Sequence, residues 1–138
     1  MKRCIAEQTS NLINVLYGLL VVGAGASKPQ AERAIFLALG HAVGRYPADR
    51  AGQSNLGFVY FQMLDFKKAM DHGRRAVELY PKNPRSRQNY ALYAMYAGDL
   101  KIAEAEARIV LEQSKTQFKA YLPLAAVAFA AGDLAGMA

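Results

Sequence analysis

At 138 residues the chain is one domain's worth, and with 53% hydrophobic residues it has ample material for a core. A formal net charge of +6 raises a polyanion partner. Much of it, however, comes from Lys67, Lys68, Arg74, Arg75, Lys82, Arg85 and Arg87, opposed by Asp71 and Glu78, the pattern of a solvated helix face. A single cysteine, Cys4, excludes an intramolecular disulfide framework and any multi-cysteine metal site, and it fits a reducing compartment.

The N-terminus admits two readings. Lys2 and Arg3 precede an apolar run from Ile13 to Val22, and Ala24-Gly25-Ala26 has the small residues of a cleavage site, the outline of a secretory signal. Against it stand the polar lead Glu7, Gln8, Thr9, Ser10 and Asn11, and Asn14 inside the run. The favoured alternative is a degenerate first repeat helix with Leu12, Ile13, Leu16 and Leu20 on one face. A spanning helix is not expected, because the run is shorter than about 18 residues and ends in glycines. A cytoplasmic setting is therefore favoured, with export the outcome if residues 1–26 are a signal peptide.

An enlarged loop around residues 23–29 leads to a second helix marked by Ala34, Ile35, Leu39, Ala42, Tyr46 and Pro47. Leu56, Val59, Tyr60 and Met63 then recur at helical spacing, which predicts an amphipathic helix over 51–63. After Leu64, Asp65 is suited to cap the next helix, which carries Phe66, Ala69, Met70, Gly73, Ala76, Val77 and Tyr80 on one side before Pro81 stops it. The plan repeats. Helix 85–97 contributes Tyr90, Ala91, Tyr93, Ala94 and Ala97, Gly98 ends it, and Asp99 caps helix 100–113. That helix turns Leu100, Ala103, Ala107, Val110 and Leu111 inward, with Glu104, Glu106, Arg108 and Glu112 mostly solvated. A third unit starts near Phe118 and places Tyr121, Leu122, Leu124, Ala125, Ala128 and Phe129 in its first helix, before Gly132-Asp133.

The interval is constant. Asp65, Asp99 and Asp133 lie 34 residues apart, as do Gly57, Ala91 and Ala125, then Leu56, Tyr90 and Leu124, then Pro47 and Pro81. A fixed period of this length marks a helical repeat array, an architecture of extended binding surfaces. The aspartates are too far apart for an acid–base pair, so capping is their role. His41 and His72 have no companions at ligand spacing, and no glycine-rich phosphate loop or serine elbow is present. No catalytic residue, metal, cofactor or small-molecule substrate is expected.

These residues resemble the tetratricopeptide repeat (TPR) family, on Leu56-Gly57, Tyr60, Ala69, Ala76 and Pro81, and less fully on Tyr90-Ala91, Gly98-Asp99, Ala103, Tyr121, Ala125 and Gly132-Asp133. The resemblance implies an all-α right-handed superhelix of antiparallel helix pairs, a TPR-like α-solenoid. As a single domain it would divide into 1–49 (degenerate first repeat or signal-like N-terminus), 50–83, 84–117 and a truncated repeat 118–138. Departures are Gln53 and Arg87 in place of an early aromatic, Gly73 for a bulky residue, and Lys115 for a closing proline. The stretches 76–84 and 89–99 also resemble TPR arrays of bacterial multidomain signalling proteins such as serine/threonine kinases, although no kinase motif is present.

By that resemblance the first helices line a concave groove. It would show Ser54, Phe58, Phe61 and Gln62, then Arg85, Gln88, Asn89, Leu92, Met95 and Tyr96, then Lys119, Leu122, Ala126 and Phe129. An apolar floor with amide and cationic groups suits a peptide, ideally one bearing an acidic residue. Phe58, Phe61 and Tyr96 are the expected hot spots, with ordinary core packing the alternative for Phe58, Phe61 and Met95. The family's carboxylate clamp is matched only by Asn89 and Lys119, not by Ser54, Phe58 or Pro123, so chaperone-tail recognition is not expected. Tyr80, Tyr90, Tyr93 and Tyr96 near Arg85 and Arg87 are read as interhelix packing rather than base stacking.

The expected function is thus a non-enzymatic protein-interaction scaffold holding a peptide segment in its groove, with a larger bacterial signalling protein as one parent context. The alternatives are a basic helical-repeat nucleic-acid binder and an exported TPR protein in envelope assembly. Self-association through the C-terminal end is a further expectation, since residues 133–138 are too few to cover Leu122, Leu124 and Phe129.

Overall fold

The protein is represented by a computed structural model that describes residues 25 and 27–132. The alternative readings of residues 1–24, Cys4, and the capping role of Asp133 fall outside the described residues. Within them every regular element is helical. The order is α1 (Lys28–Arg45), α2 (Arg50–Gln62), α3 (Phe66–Leu79), α4 (Pro84–Ala97), α5 (Leu100–Gln113), a 3-10 turn (Phe118–Ala120) and α6 (Tyr121–Ala130). Each helix packs on the one before it, giving an all-α, TPR-like solenoid.

The caps explain the boundaries. Asp49 accepts from the amides of Ala51 and Gly52 at 3.1 Å, Asp65 from Lys68 at 3.2 Å, Asn83 from Ser86 at 2.9 Å and Asp99 from Ile102 at 3.1 Å. Two of the periodic aspartates are thereby helix caps. The expected helices 51–63, 85–97 and 100–113 agree with α2, α4 and α5 to within a residue.

Two differences have local causes. Ser27, Lys28 and Pro29 belong to the start of α1 rather than to a loop. The Ser27 amide donates to Gln30 Oε1 at 3.0 Å, and Pro29 lies in the first turn, where its missing N–H costs nothing. The third unit does not run on from Phe118 as one α-helix. The Ala120 amide bonds the Gln117 carbonyl in a tighter turn, and the α-helix begins only at Tyr121.

Small residues let the pairs close. Ala69, Ala76, Ala91, Ala103 and Ala107 are buried, and Leu56 joins Ile35, Leu39 and Val43 in one core cluster. A second cluster gathers Ala91, Ala107, Val110 and Ala120. Between them lies Tyr93. A β-carbon at Gly73 would come within 3.0 Å of its Cδ2, and one at Gly57 within 3.3 Å of its Cε2. The ring from α4 therefore sits over both glycines, which accounts for Gly73 where a bulky residue was expected. The Tyr93 hydroxyl has no hydrogen-bond partner among the described residues, and burial drives its pKa well up.

Candidate functional site

The first helices of successive pairs are α2, α4 and α6 with its 3-10 turn. Phe58 on α2 and Tyr96 on α4 are 51% and 49% exposed, large apolar groups that the fold leaves half in solvent. Phe61 is partly buried at the centre of an aromatic cluster, with ring centroids 5.5 Å from Phe66, 5.2 Å from Tyr93 and 5.1 Å from Tyr96. Phe58 takes no part in it. Phe61 thus follows the core alternative in part, while Phe58 and Tyr96 remain accessible. Gln62, Arg85 and Lys119 are exposed, and Ser54, Gln88, Asn89, Leu92 and Met95 are half-buried.

Arg85, Gln88 and Lys119 border one opening. Together with Pro84, Gln117 and Phe118 they line an open recess of about 270 Å³ between the start of α4 and the 3-10 turn. Phe118, 74% exposed, and Gln117 were not among the residues expected at a site. The clue in the sequence was Lys119 itself, which stands one 34-residue period after Arg85 and brings its neighbours to the same edge.

The charge is divided by helix type. The first helices contain Arg50, Arg85, Arg87 and Lys119 but no aspartate or glutamate. Asp71, Glu78, Glu104, Glu106 and Glu112 all fall on the second helices α3 and α5. Much of the basic stretch is neutralised locally: Lys68 pairs with Asp65, Arg74 and Arg75 with Glu78, and Arg87 with Glu106. The contacts with Lys68 hold the Asp65 carboxyl below its usual pKa, and those with Arg75 and Arg74 do the same for Glu78.

Two polar bridges tie the pairs together. Gln53, buried, donates through Nε2 to the Pro47 carbonyl at 3.0 Å, and its Oε1 lies 2.8 Å from His72 Nδ1. Because the Pro47 oxygen can only accept, Gln53 Oε1 faces His72, and His72 Nδ1 must carry the proton. The His72 ring stacks on Tyr60 at 5.3 Å, and burial lowers its pKa below the ordinary 6.5 despite the nearby Asp71. In the next unit Arg87 Nε donates to the Pro81 carbonyl at 2.7 Å while its Nη1 meets Glu106 Oε2 at 2.6 Å. Pro47 and Pro81, Gln53 and Arg87, His72 and Glu106 are each one 34-residue period apart. The two departures from an early aromatic are therefore one structural device in two chemistries, and Glu106, expected in solvent, is largely covered by it.

The tyrosines divide. Tyr90 and Tyr93 are buried as expected, whereas Tyr80 and Tyr96 are half-exposed. The Arg50 guanidinium lies 5.4 Å from the Tyr80 ring centroid. Among the described residues no group of three His, Cys, Asp or Glu could hold a metal ion, and no helix is long and apolar enough to cross a membrane.

Residues 51–83 match the tetratricopeptide repeat model. The matched stretch is α2 and α3 with their closing turn, the helix pair described above. Among curated proteins the chain is similar to the Sol locus transcriptional repressor of Clostridium acetobutylicum, with 28% identity over 82 residues. That match covers 59% of this chain but only 26% of the relative, so the chain corresponds to about a quarter of that protein's length. This relative is named as a transcriptional repressor, and it lends no support to the resemblance to repeat arrays of kinases. Repeats of this family generally mediate protein–protein interaction.

Proposed function

We propose that the protein is a non-enzymatic scaffold that holds a peptide segment of a partner protein against the face of its first helices. The observation that carries this reading is the pair of accessible aromatics, Phe58 and Tyr96, on helices that contain no carboxylate. Aromatic side chains in such positions dominate the energy of peptide recognition. Gln62, Asn89 and Leu92 add adaptable polar and apolar contacts, and Arg85, Gln88 and Lys119 form one end of the face. The similarity to a transcriptional repressor supports a regulatory setting in which this segment is the part that contacts another protein.

A random-sequence peptide array probed with the full chain tests the proposal. The expected result is a set of bound peptides whose affinity falls about tenfold or more when Phe58 and Tyr96 are both replaced by alanine. Equal retention by the double variant removes this face as the binding site. A second reading, nucleic-acid binding, is favoured by the net charge of +6, but the ion pairs of the basic stretch weigh against it. Mass spectrometry of the mature N-terminus separates a cytoplasmic protein from an exported one.

A further inference from the structure

The geometry points to the recess between the start of α4 and the Phe118–Ala120 turn as the seat of a carboxylate side chain of the bound peptide, an inference that rests on the peptide-binding role proposed above. Arg85 and Lys119 occupy the same place in consecutive units, so the repeat itself brings a guanidinium and an ammonium to one opening. Neither makes an ion pair among the described residues, although Arg87 on the same helix is satisfied by Glu106. No carboxylate lines the recess, and none lies on the helices that form this face. Arg85 offers a planar fork that matches a carboxylate, Lys119 a mobile point charge, and Gln88 and Gln117 further amide donors. Pro84 and Phe118 supply apolar walls, against which the aliphatic stem of an acidic side chain can pack.

The occupant is a protein segment because the recess does not stand alone. Arg85, Gln88 or Asn89, Leu92 and Tyr96 follow one another at three- to four-residue steps along one face of α4. A chain anchored by an acidic residue at Arg85 and Lys119 would run along that strip toward the half-exposed Tyr96 and Phe58. A nucleic acid would instead need phosphate contacts repeated along the surface, and Arg74, Arg75 and Arg87 are engaged with glutamates.

The test uses two immobilised random-sequence peptide libraries that differ only in having glutamate or glutamine at the charged positions, with single-stranded oligothymidylate as a third surface. The full chain is compared with Arg85→Gln/Lys119→Gln and with Phe58→Ala/Tyr96→Ala, all exposed positions whose folding is checked by circular dichroism. The wild type is expected to prefer the glutamate library by about tenfold. Arg85→Gln/Lys119→Gln should erase that preference while still binding the glutamine library. Phe58→Ala/Tyr96→Ala should weaken both and keep the preference. Peptide binding without a charge preference, or a preference that survives Arg85→Gln/Lys119→Gln, overturns the assignment of the recess alone. Binding to neither library overturns the peptide-binding role as well. Oligothymidylate binding that is stronger than either library's and lost in the charge variant assigns the recess to nucleic acid instead.

Discussion

The units 50–83 and 84–117 share a backbone plan and differ in the chemistry that locks it. In the first, neutral groups bridge the connector to both helices: Pro47 carbonyl, Gln53 amide, His72 imidazole. In the second an ion pair does so: Pro81 carbonyl, Arg87 guanidinium, Glu106 carboxylate. The turns differ as well. Leu64 takes a left-handed φ of 63° where the next unit has Gly98 at 86° and the third has Gly132 at 73°. A repeat thus constrains geometry at a position more tightly than it constrains residue type.

The largest expected effect comes from breaking the ion pair. Glu106→Ala leaves the Arg87 guanidinium, whose side chain is only 15% exposed, beside an apolar gap. Unfolding followed by denaturant should show a loss of about 2–3 kcal/mol, somewhat below the range for a fully buried pair. Gln53→Ala in the first unit should cost less, about 1–2 kcal/mol, because it orphans neutral groups: the Pro47 carbonyl and the His72 N–H. Equal losses at the two sites would mean that the bridges are interchangeable and that their charge is immaterial.

The turn contrast gives an effect of opposite sign. Leu64 is 72% exposed, so replacing it by glycine forfeits little burial and relieves a conformation that L-residues avoid. Leu64→Gly should stabilise the protein by about 1 kcal/mol after the entropic cost of glycine is counted, whereas Gly98→Leu should destabilise by a similar amount. A destabilised Leu64→Gly protein would show that this side chain has a packing role.

The smallest effect concerns pH, and it falls on one unit alone. His72 has a pKa below the unfolded value of 6.5, so its neutral form belongs to the fold. Between those two values the unfolded chain binds more protons than the folded one, so stability rises with pH there. The contribution is complete above 6.5 and is lost as pH falls through the lowered folded value. Native-state hydrogen exchange should therefore show α2 and α3 loosening over that window, with α4 and α5 unaffected until carboxylates titrate. His72→Gln should abolish the difference. The carboxylates of Asp65 and Glu78, held below 3.8 and 4.5, lose their contributions at lower pH still.

Much of the fold was legible because its signals are local and repeated. Asp65 and Asp99 announce helix starts, Gly98 a helix end, and the spacing of Leu56, Val59 and Tyr60 a buried stripe. The turn at Phe118–Ala120 was not, since nothing in its composition separates a tighter first turn from an α-helix. The bridges were missed for another reason. Gln53 and Arg87 were visible as departures from a family pattern, but their partners lie on other elements, 19 residues away in each case. Only a comparison of Gln53 with Arg87 and of His72 with Glu106 in register would have exposed them. Phe58 and Phe61 carried the same two readings in the sequence, an accessible face or ordinary core. Packing distinguishes them, because Phe66, Tyr93 and Tyr96 close around Phe61 and leave Phe58 half in solvent.

Whether the face of the first helices receives a peptide is read by amide-resolved NMR of the full chain during titration with the glutamate peptide library. Saturable shifts are expected on that face alone, at Phe58, Gln62, Arg85, Gln88, Leu92, Tyr96 and Lys119, with α3 and α5 quiet on their outer sides. Shifts centred instead on Lys67, Arg74 and Arg75 of α3 would contradict a peptide site on that face.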